Sequence, residues 1–275
     1  MKFAVGRLCG RVGMSRQSFY KARRQRKRRE VDADLVEQLV RAERAVQPRL
    51  GGRKLHHLCK QAMAAADVRL GRDRFFEVLA DRDLLLAPLP KRPRTTDSRH
   101  CLPVFTNLVK DLGLERPNQA WAGDITYVRT EEGFLYVSLL TDLYSRKIVG
   151  FHAGDTLETE GCLKSLEMAL DQLPAGQAVF HHSDRGCQYC SHLYVEKAQG
   201  RGLTISMTEE NHCYENATAE RVNGILKQEY WLGSCFRTKA QALAAVAEAV
   251  RLYNTRRPHQ ALKYKTPEEI HQRAA

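Results

Sequence analysis

Asp184 and Glu220 have 35 residues between them, and with Asp124 they form a set of three acids whose contexts suit the holding of a metal. Asp124 lies in Trp121-Ala-Gly-Asp-Ile-Thr-Tyr-Val128, where β-branched and aromatic residues predict a strand with a carboxylate at its middle. A charge there is costly without a partner. Asp184 closes Ala178-Val-Phe-His-His-Ser-Asp184 and precedes Arg185-Gly186, the pattern of a short buried strand ending at a site-building loop. Around Glu220, the residues Ala219, Val222, Ile225 and Leu226 repeat at helical spacing, so the acid stands at the edge of a buried stripe, facing the sheet. Hard divalent cations such as Mg²⁺ take a few carboxylates plus substrate phosphates as ligands, and two ions roughly 3.5–4 Å apart clamp the attacking and leaving oxygens of a phosphodiester. Such chemistry needs no nucleophilic side chain.

Further blocks accompany the acids: His182-Ser-Asp-Arg-Gly-Cys-Gln-Tyr189, Asn216-Ala-Thr-Ala-Glu220, and Tyr253-Asn-Thr-Arg-Arg-Pro-His-Gln-Ala-Leu262 with Thr266-Pro267. Through them, residues from about 115 to 270 resemble the catalytic core of the retroviral-integrase superfamily, most closely the second-reading-frame (OrfB-type) transposases of bacterial insertion sequences. The resemblance puts that family's catalytic, metal-holding triad on Asp124, Asp184 and Glu220, and its basic residue seven positions after the Glu on Lys227. Glu215 stands where many relatives have Asp and Arg221 where many have Ser; neither touches the triad, though Arg221 adds a cation beside it. The resemblance implies two Mg²⁺ or Mn²⁺ ions and DNA as the partner, both the element's terminal inverted repeats and a target. One strand would be hydrolysed to expose a 3′-hydroxyl, which then attacks another phosphodiester. It also implies a homo-oligomer on DNA and action after frameshift fusion to the product of an upstream reading frame. Two other readings stay open: a DNA-binding regulator whose core is only a scaffold, and a structure-selective nuclease. The intact triad argues against the first.

The charge is unevenly placed. Residues 1–100 hold 25 Lys or Arg against 11 Asp or Glu, whereas residues 101–275 hold 19 against 21. A basic field of that kind attracts phosphate and releases counterions, giving salt-sensitive and sequence-independent affinity for DNA. No apolar run approaches the roughly 18–20 residues of a membrane span, and Arg11 and Arg16 interrupt the N-terminal stretch too early for a secretory signal. The expected location is the bacterial cytoplasm, at the nucleoid, with no membrane partner. In that compartment the even count of eight cysteines does not argue for disulfides. Cys187-Gln-Tyr-Cys190, near His181, His182 and His192, reads as a turn after Asp184 in preference to half of a zinc site.

The elements that must position these residues divide into four stretches. Residues 1–30 read as a helix-turn-helix: a helix from Phe3 to Arg11, a turn at Val12-Gly-Met14, and Ser15 as N-cap of a second helix. That helix carries Arg16, Gln17, Ser18, Lys21, Arg23 and Arg24 as DNA-contact candidates, with seven basic residues in the nine from Lys21 to Arg29. A solvated basic arm is the alternative. Residues 31–88 read as a second helix-turn-helix-like module of three short helices, with Arg53 and Lys54 as contact candidates in a block resembling the one that precedes the family's core. Residues 89–112 form a basic, Pro-rich linker. Residues 113–275 hold an integrase-like core with a C-terminal helical extension.

The expected fold class is α/β, a ribonuclease-H-like mixed sheet flanked by helices and preceded by small all-α modules. Strands over Phe134–Asp142 and Arg146–His152 extend the Asp124 strand into a meander, and a helix from Leu157 to Leu173 leads to the Asp184 strand. A helix at His192–Ala198, a strand at Leu203–Met207, the Glu220 helix and an alanine-rich helix from Thr238 to Tyr253 complete it. Asp142 reads as a turn or salt-bridge residue with Arg146 as partner, and Trp121 as a residue packed under the sheet. Lys227 lies two turns from Glu220 on the same face, within reach of a phosphate near the cut. Arg256, Arg257 and His259 are candidates for DNA phosphates, with packing of the final helix as the alternative.

Overall fold

The structure, a computed structural model, describes residues 5–87, 102–174, 176–209 and 216–273. Phe3, Glu215 and the proline-rich part of the expected linker lie outside the described residues. Two compact units result, one of residues up to Val46 together with Leu50–Ala87, the other of Gln47–Arg49 and the remainder.

The first unit is all helical: α1 (Val5–Arg11), α2 (Arg16–Val46), α3 (Gly52–Ala65) and α4 (Arg72–Asp81). Between α1 and α2 the turn takes Gly13 to φ +66°, where a side chain would be strained. Ser15 then accepts the Ser18 amide at 3.0 Å, as an N-cap should. The 31-residue α2 runs straight through the expected division between residues 30 and 31. From Arg16 to Val46 the chain has neither Gly nor Pro, and Arg, Lys, Gln, Glu, Ala and Leu propagate a helix well. Its second half packs Val36 and Val40 on Leu55, Met63, Phe75 and Leu79 of α3 and α4. Each such buried side chain contributes about 1.5–3 kcal/mol.

The second unit is built on a sheet of β1 (Ala120–Thr130), β2 (Gly133–Asp142), β3 (Ile148–Gly154), β4 (Val179–Ser183), β5 (Leu203–Met207) and β6 (Cys235–Phe236). The order is β3-β2-β1-β4-β5, with β6 paired to β1 beyond the main path. β1, β2 and β3 form an antiparallel meander, while β4 and β5 run parallel to β1. This is the expected ribonuclease-H-like mixed sheet, and helices flank it: α5 (Thr159–Leu170), α6 (Cys187–Cys190), α7 (His192–Gly200), α8 (Ala217–Glu229), α9 (Lys239–Thr255) and α10 (Pro267–Arg273).

One face carries the main core, where Trp121, Leu140, Leu166, Tyr194 and Met207 are buried together. Trp121 packs, and its indole N–H donates to Asn118 Oδ1 at 2.9 Å. On a second core, Ala120 and Ala122 let Ala219 approach closely. At Gly150 the sheet meets α5 so tightly that an added Cβ would strike the Ser165 carbonyl.

Asp142 is a turn residue as expected, but its partner differs. It is fully buried and accepts from the Asn118 amide at 2.7 Å and from the Ser145 amide and hydroxyl at 2.6 Å. Arg146, at φ +65° in that turn, instead donates to Thr218 Oγ1 at 2.7 Å. The carboxylate is therefore satisfied by two donors of its own turn and by the amide of Asn118.

Candidate active site

Strand register places the first two acids. β4 pairs with β1 from Ala120 through Gly123, where Gly123 is opposite Ser183, and the two strands run parallel. The next residue on each, Asp124 and Asp184, therefore emerges side by side. β6 resumes pairing with β1 only at Arg129. The stretch 124–128 faces the gap between the registers of β4 and β6, and this gap is where the cleft opens. Gly123 is needed beside it, because Tyr189 and His181 pack within 3.3 Å of where a Cβ would sit.

The third acid arrives on α8, with Glu220 in its first turn. Two asparagines stitch that helix to β1. Asn216 donates to the Gly123 carbonyl at 2.9 Å, and Asn223 donates to Asp124 Oδ2 at 2.6 Å. The buried stripe of Ala219, Val222, Ile225 and Leu226 fixes the helix rotation. Glu220 remains exposed at its edge.

The acids act on one another electrostatically. The Asp124 carboxyl is raised to about 7, first by burial and then by the negative charge of Asp184, with a smaller push from Glu220. The Ile125 amide and the Asn223 side chain pull in the opposite direction. Asp184 is oriented by its own loop, since Oδ1 accepts the Gly186 amide at 3.0 Å. The neighbouring Arg185 donates to the Thr208 carbonyl at 2.7 Å.

This donor set suits a hard cation. Asp124 and Asp184 line one cavity, while nearby softer ligands are engaged elsewhere: Cys190 lies in the core against the Met207 sulfur, His181 bonds Tyr194 at 2.8 Å, and His182 bonds Ser206 at 2.9 Å. The Cys187–Cys190 stretch is a short helix after Asp184, with Cys187 exposed. Among the described residues, no three His, Cys, Asp or Glu side chains enclose an ion by themselves. A cation here would share its coordination with a substrate phosphate, the habit of Mg²⁺.

Beside the acids lies a cavity of about 510 Å³, lined by Asp124, Asp184 and Gly186 and walled by Tyr127, Phe134 and Tyr136. Lys227 extends from α8 and sets its ammonium 4.5 Å from the centre of the Tyr127 ring.

The remaining basic candidates separate by burial. Arg16, Gln17, Lys21, Arg23 and Arg24 are exposed along α2, as is Ser18, which is bonded to Ser15. At the start of α3, Arg53 is exposed and Lys54 half-buried. Arg256 is exposed. Arg257 and His259 are withdrawn from phosphate contact. The Arg257 guanidinium is 2% exposed and makes a two-bond ion pair with Glu229 at 2.8 and 2.9 Å. His259 is buried with its ring against Tyr253. Together they lock the end of α8 to the segment after α9.

Asn223 and Asn216 are the site residues that sequence reasoning missed as hydrogen-bonding partners. A polar residue interrupting the apolar stripe three positions after Glu220 is the signal that marks Asn223.

Comparison with known proteins gives two matches to the integrase core domain, over residues 115–213 and 201–267. The chain is 32% identical over 276 residues to the insertion element IS600 uncharacterized 31 kDa protein of Shigella sonnei, covering 98% of this chain and 100% of that protein. It is 29% identical over 276 residues to the transposase for insertion sequence element IS629 of Shigella sonnei, covering 98% and 91% respectively. Among solved structures, the HTLV-2 integrase catalytic core domain in complex with magnesium is similar at a TM-score of 0.46 and 19% identity, covering 57% of this chain and 97% of that one.

Proposed function

From the premise that the chain belongs to the insertion-sequence transposases with an integrase core domain, we propose that Asp124, Asp184 and Glu220 form the centre at which it cleaves one DNA strand and joins the resulting end to a target. The observation that carries this reading is the β1–β4 register, which sets Asp124 and Asp184 abreast, with Asn223 tying the Glu220 helix to Asp124. Two Mg²⁺ or Mn²⁺ ions, when bound by the three carboxylates, supply Lewis-acid stabilisation of the charge on a phosphate undergoing in-line displacement.

The chain's own residues do the positioning. Asn223 and the Ile125 amide fix both oxygens of Asp124, and the Gly186 amide fixes Asp184. Such outer partners keep a carboxylate oriented toward its ligand. Lys227, steadied over Tyr127, neutralises a phosphate next to the one being cut. The N-terminal residues 1–88 hold the terminal inverted repeats through Arg16, Gln17, Lys21, Arg23, Arg24, Arg53 and Lys54, linked by residues 89–112 to the acting core, with Arg256 adding a contact there. The protein works as a homo-oligomer on bacterial DNA, and as a frameshift fusion with the product of an upstream reading frame. Along the described residues no helix is long and apolar enough to cross a membrane.

Purified protein incubated with labelled element ends and Mg²⁺, beside Asp184→Asn, tests the reading. Joined products that vanish in the variant support it. Cleavage without joining points to a nuclease, and binding without chemistry to a regulator.

A further inference from the structure

Three aromatic side chains gather along the cleft. Tyr127 and Tyr136 are cross-strand partners on β1 and β2, and Phe134 stands opposite Arg129 on the same hairpin. All three line the cavity that Asp124 and Asp184 also line. Phe134 meets Tyr127 edge to face, with ring centres 5.4 Å apart, yet Phe134 itself is 47% exposed. A flat partner laid on that ring would remove apolar surface from water, which is favourable. Lys227 sets its ammonium over the Tyr127 ring. The cavity of about 510 Å³ lies within the range of pockets that take a small ligand.

We infer that Phe134, backed by Tyr127 and Tyr136, is a stacking shelf for an unpaired DNA base next to the phosphate at the carboxylates, so that the site takes a locally opened strand in preference to an intact duplex. The inference rests on the functional reading above and deepens it by naming the form of the substrate. The chemistry fits a nucleotide at both ends. A base offers a flat π-face to the ring, and its phosphate offers charge to Lys227. Paired bases in a duplex are stacked on one another and present only edges, so the shelf gives them nothing. A base freed from its partner gains a new stacking surface, which offsets part of the cost of unpairing. Stacking of this kind is tolerant of sequence, since every base has a π-face.

The test compares binding of the full chain, in Ca²⁺ to suppress cleavage, to single-stranded oligodeoxythymidylate and to an abasic oligomer of the same length. Both carry the same phosphates, so the basic helices contribute equally to each. The parent should prefer the thymidylate, Phe134→Ala should reduce that preference by about tenfold, and Phe134→Trp should retain it. Binding of the abasic oligomer should not change in either variant, which also reports that they are folded. Equal affinity of the parent for the two oligomers, or an equal loss on both in Phe134→Ala, overturns the shelf. Asp184→Asn should keep the preference while losing cleavage. If the preference is absent but the parent still cleaves element ends, the shelf fails alone; if the preference holds but no cleavage occurs, the catalytic reading fails.

Discussion

Asp124 is held by two donors while burial and two other carboxylates raise its pKa, and on the proposed reading a bound cation would relieve that repulsion. The Asn223 amide is then a positioning group, and Asn223→Ala should reduce strand cleavage by about 10- to 100-fold and raise the Mg²⁺ concentration needed for half-maximal rate. A Mg²⁺ titration of the cleavage rate checks this, and an unchanged titration midpoint would count against the role. His181 gives a separate prediction. Burial lowers its imidazole to about 3, and Nε2 is bonded to the Tyr194 hydroxyl. The ordinary value for His in an unfolded chain is about 6.5. Since the folded-state value is the lower one, the stability it confers is complete above about 6.5 and is lost as pH falls toward 3, on the order of 3 kcal/mol by pH 4.5. Urea midpoints at pH 7 and 4.5 should therefore fall less in His181→Gln than in the parent. At this scale the placement of Asp124 within a strand, Asp184 at a strand end and Glu220 on a helix was legible from their local contexts. Arg257 was not, because its Glu229 partner lies 28 residues away in sequence and only the fold brings them together.

Among the elements, the strands around Asp124 and Asp184 were legible from alternation and apolar runs, and the α8 stripe from its helical period. β6 was not, since two residues carry no period. The division expected at residue 30 followed a change in charge, and charge does not stop a helix that meets no breaker. Two glycines test the packing in opposite directions. Gly150→Ala should destabilise the core by more than the roughly 1–3 kcal/mol of ordinary overpacking, because the obstacle is the Ser165 carbonyl on a helix backbone. Gly224 lies inside α8 with open space where a Cβ would go, so Gly224→Ala should stabilise by about 0.5–1 kcal/mol. Thermal melts of the two variants should shift to opposite sides of the parent.

For the molecule as a whole, the basic excess of residues 1–100 sits beside a near-neutral remainder, and that division was fully legible in the sequence. Its physical consequence is measurable. Replacing Arg23 and Arg24 together with Ala should lower affinity for duplexes of any sequence and reduce the slope of log affinity against log salt by up to about 2. Fluorescence anisotropy across a salt series reports that slope, and an unaltered slope would remove these residues from the phosphate-contacting set. What composition could not convey is the crossing from β3 through α5 to β4, which lays the Asp184 strand against β1 and so assembles the site.

The central claim, that three carboxylates from β1, the end of β4 and α8 act as one centre on DNA, is tested most directly by Asp124→Asn, Asp184→Asn and Glu220→Gln, assayed singly on labelled element ends in Mg²⁺. Each should bind the ends as the parent does yet lose both strand cleavage and the joining of ends supplied already cut. Parental rates of cleavage and joining in any one of the three would contradict it.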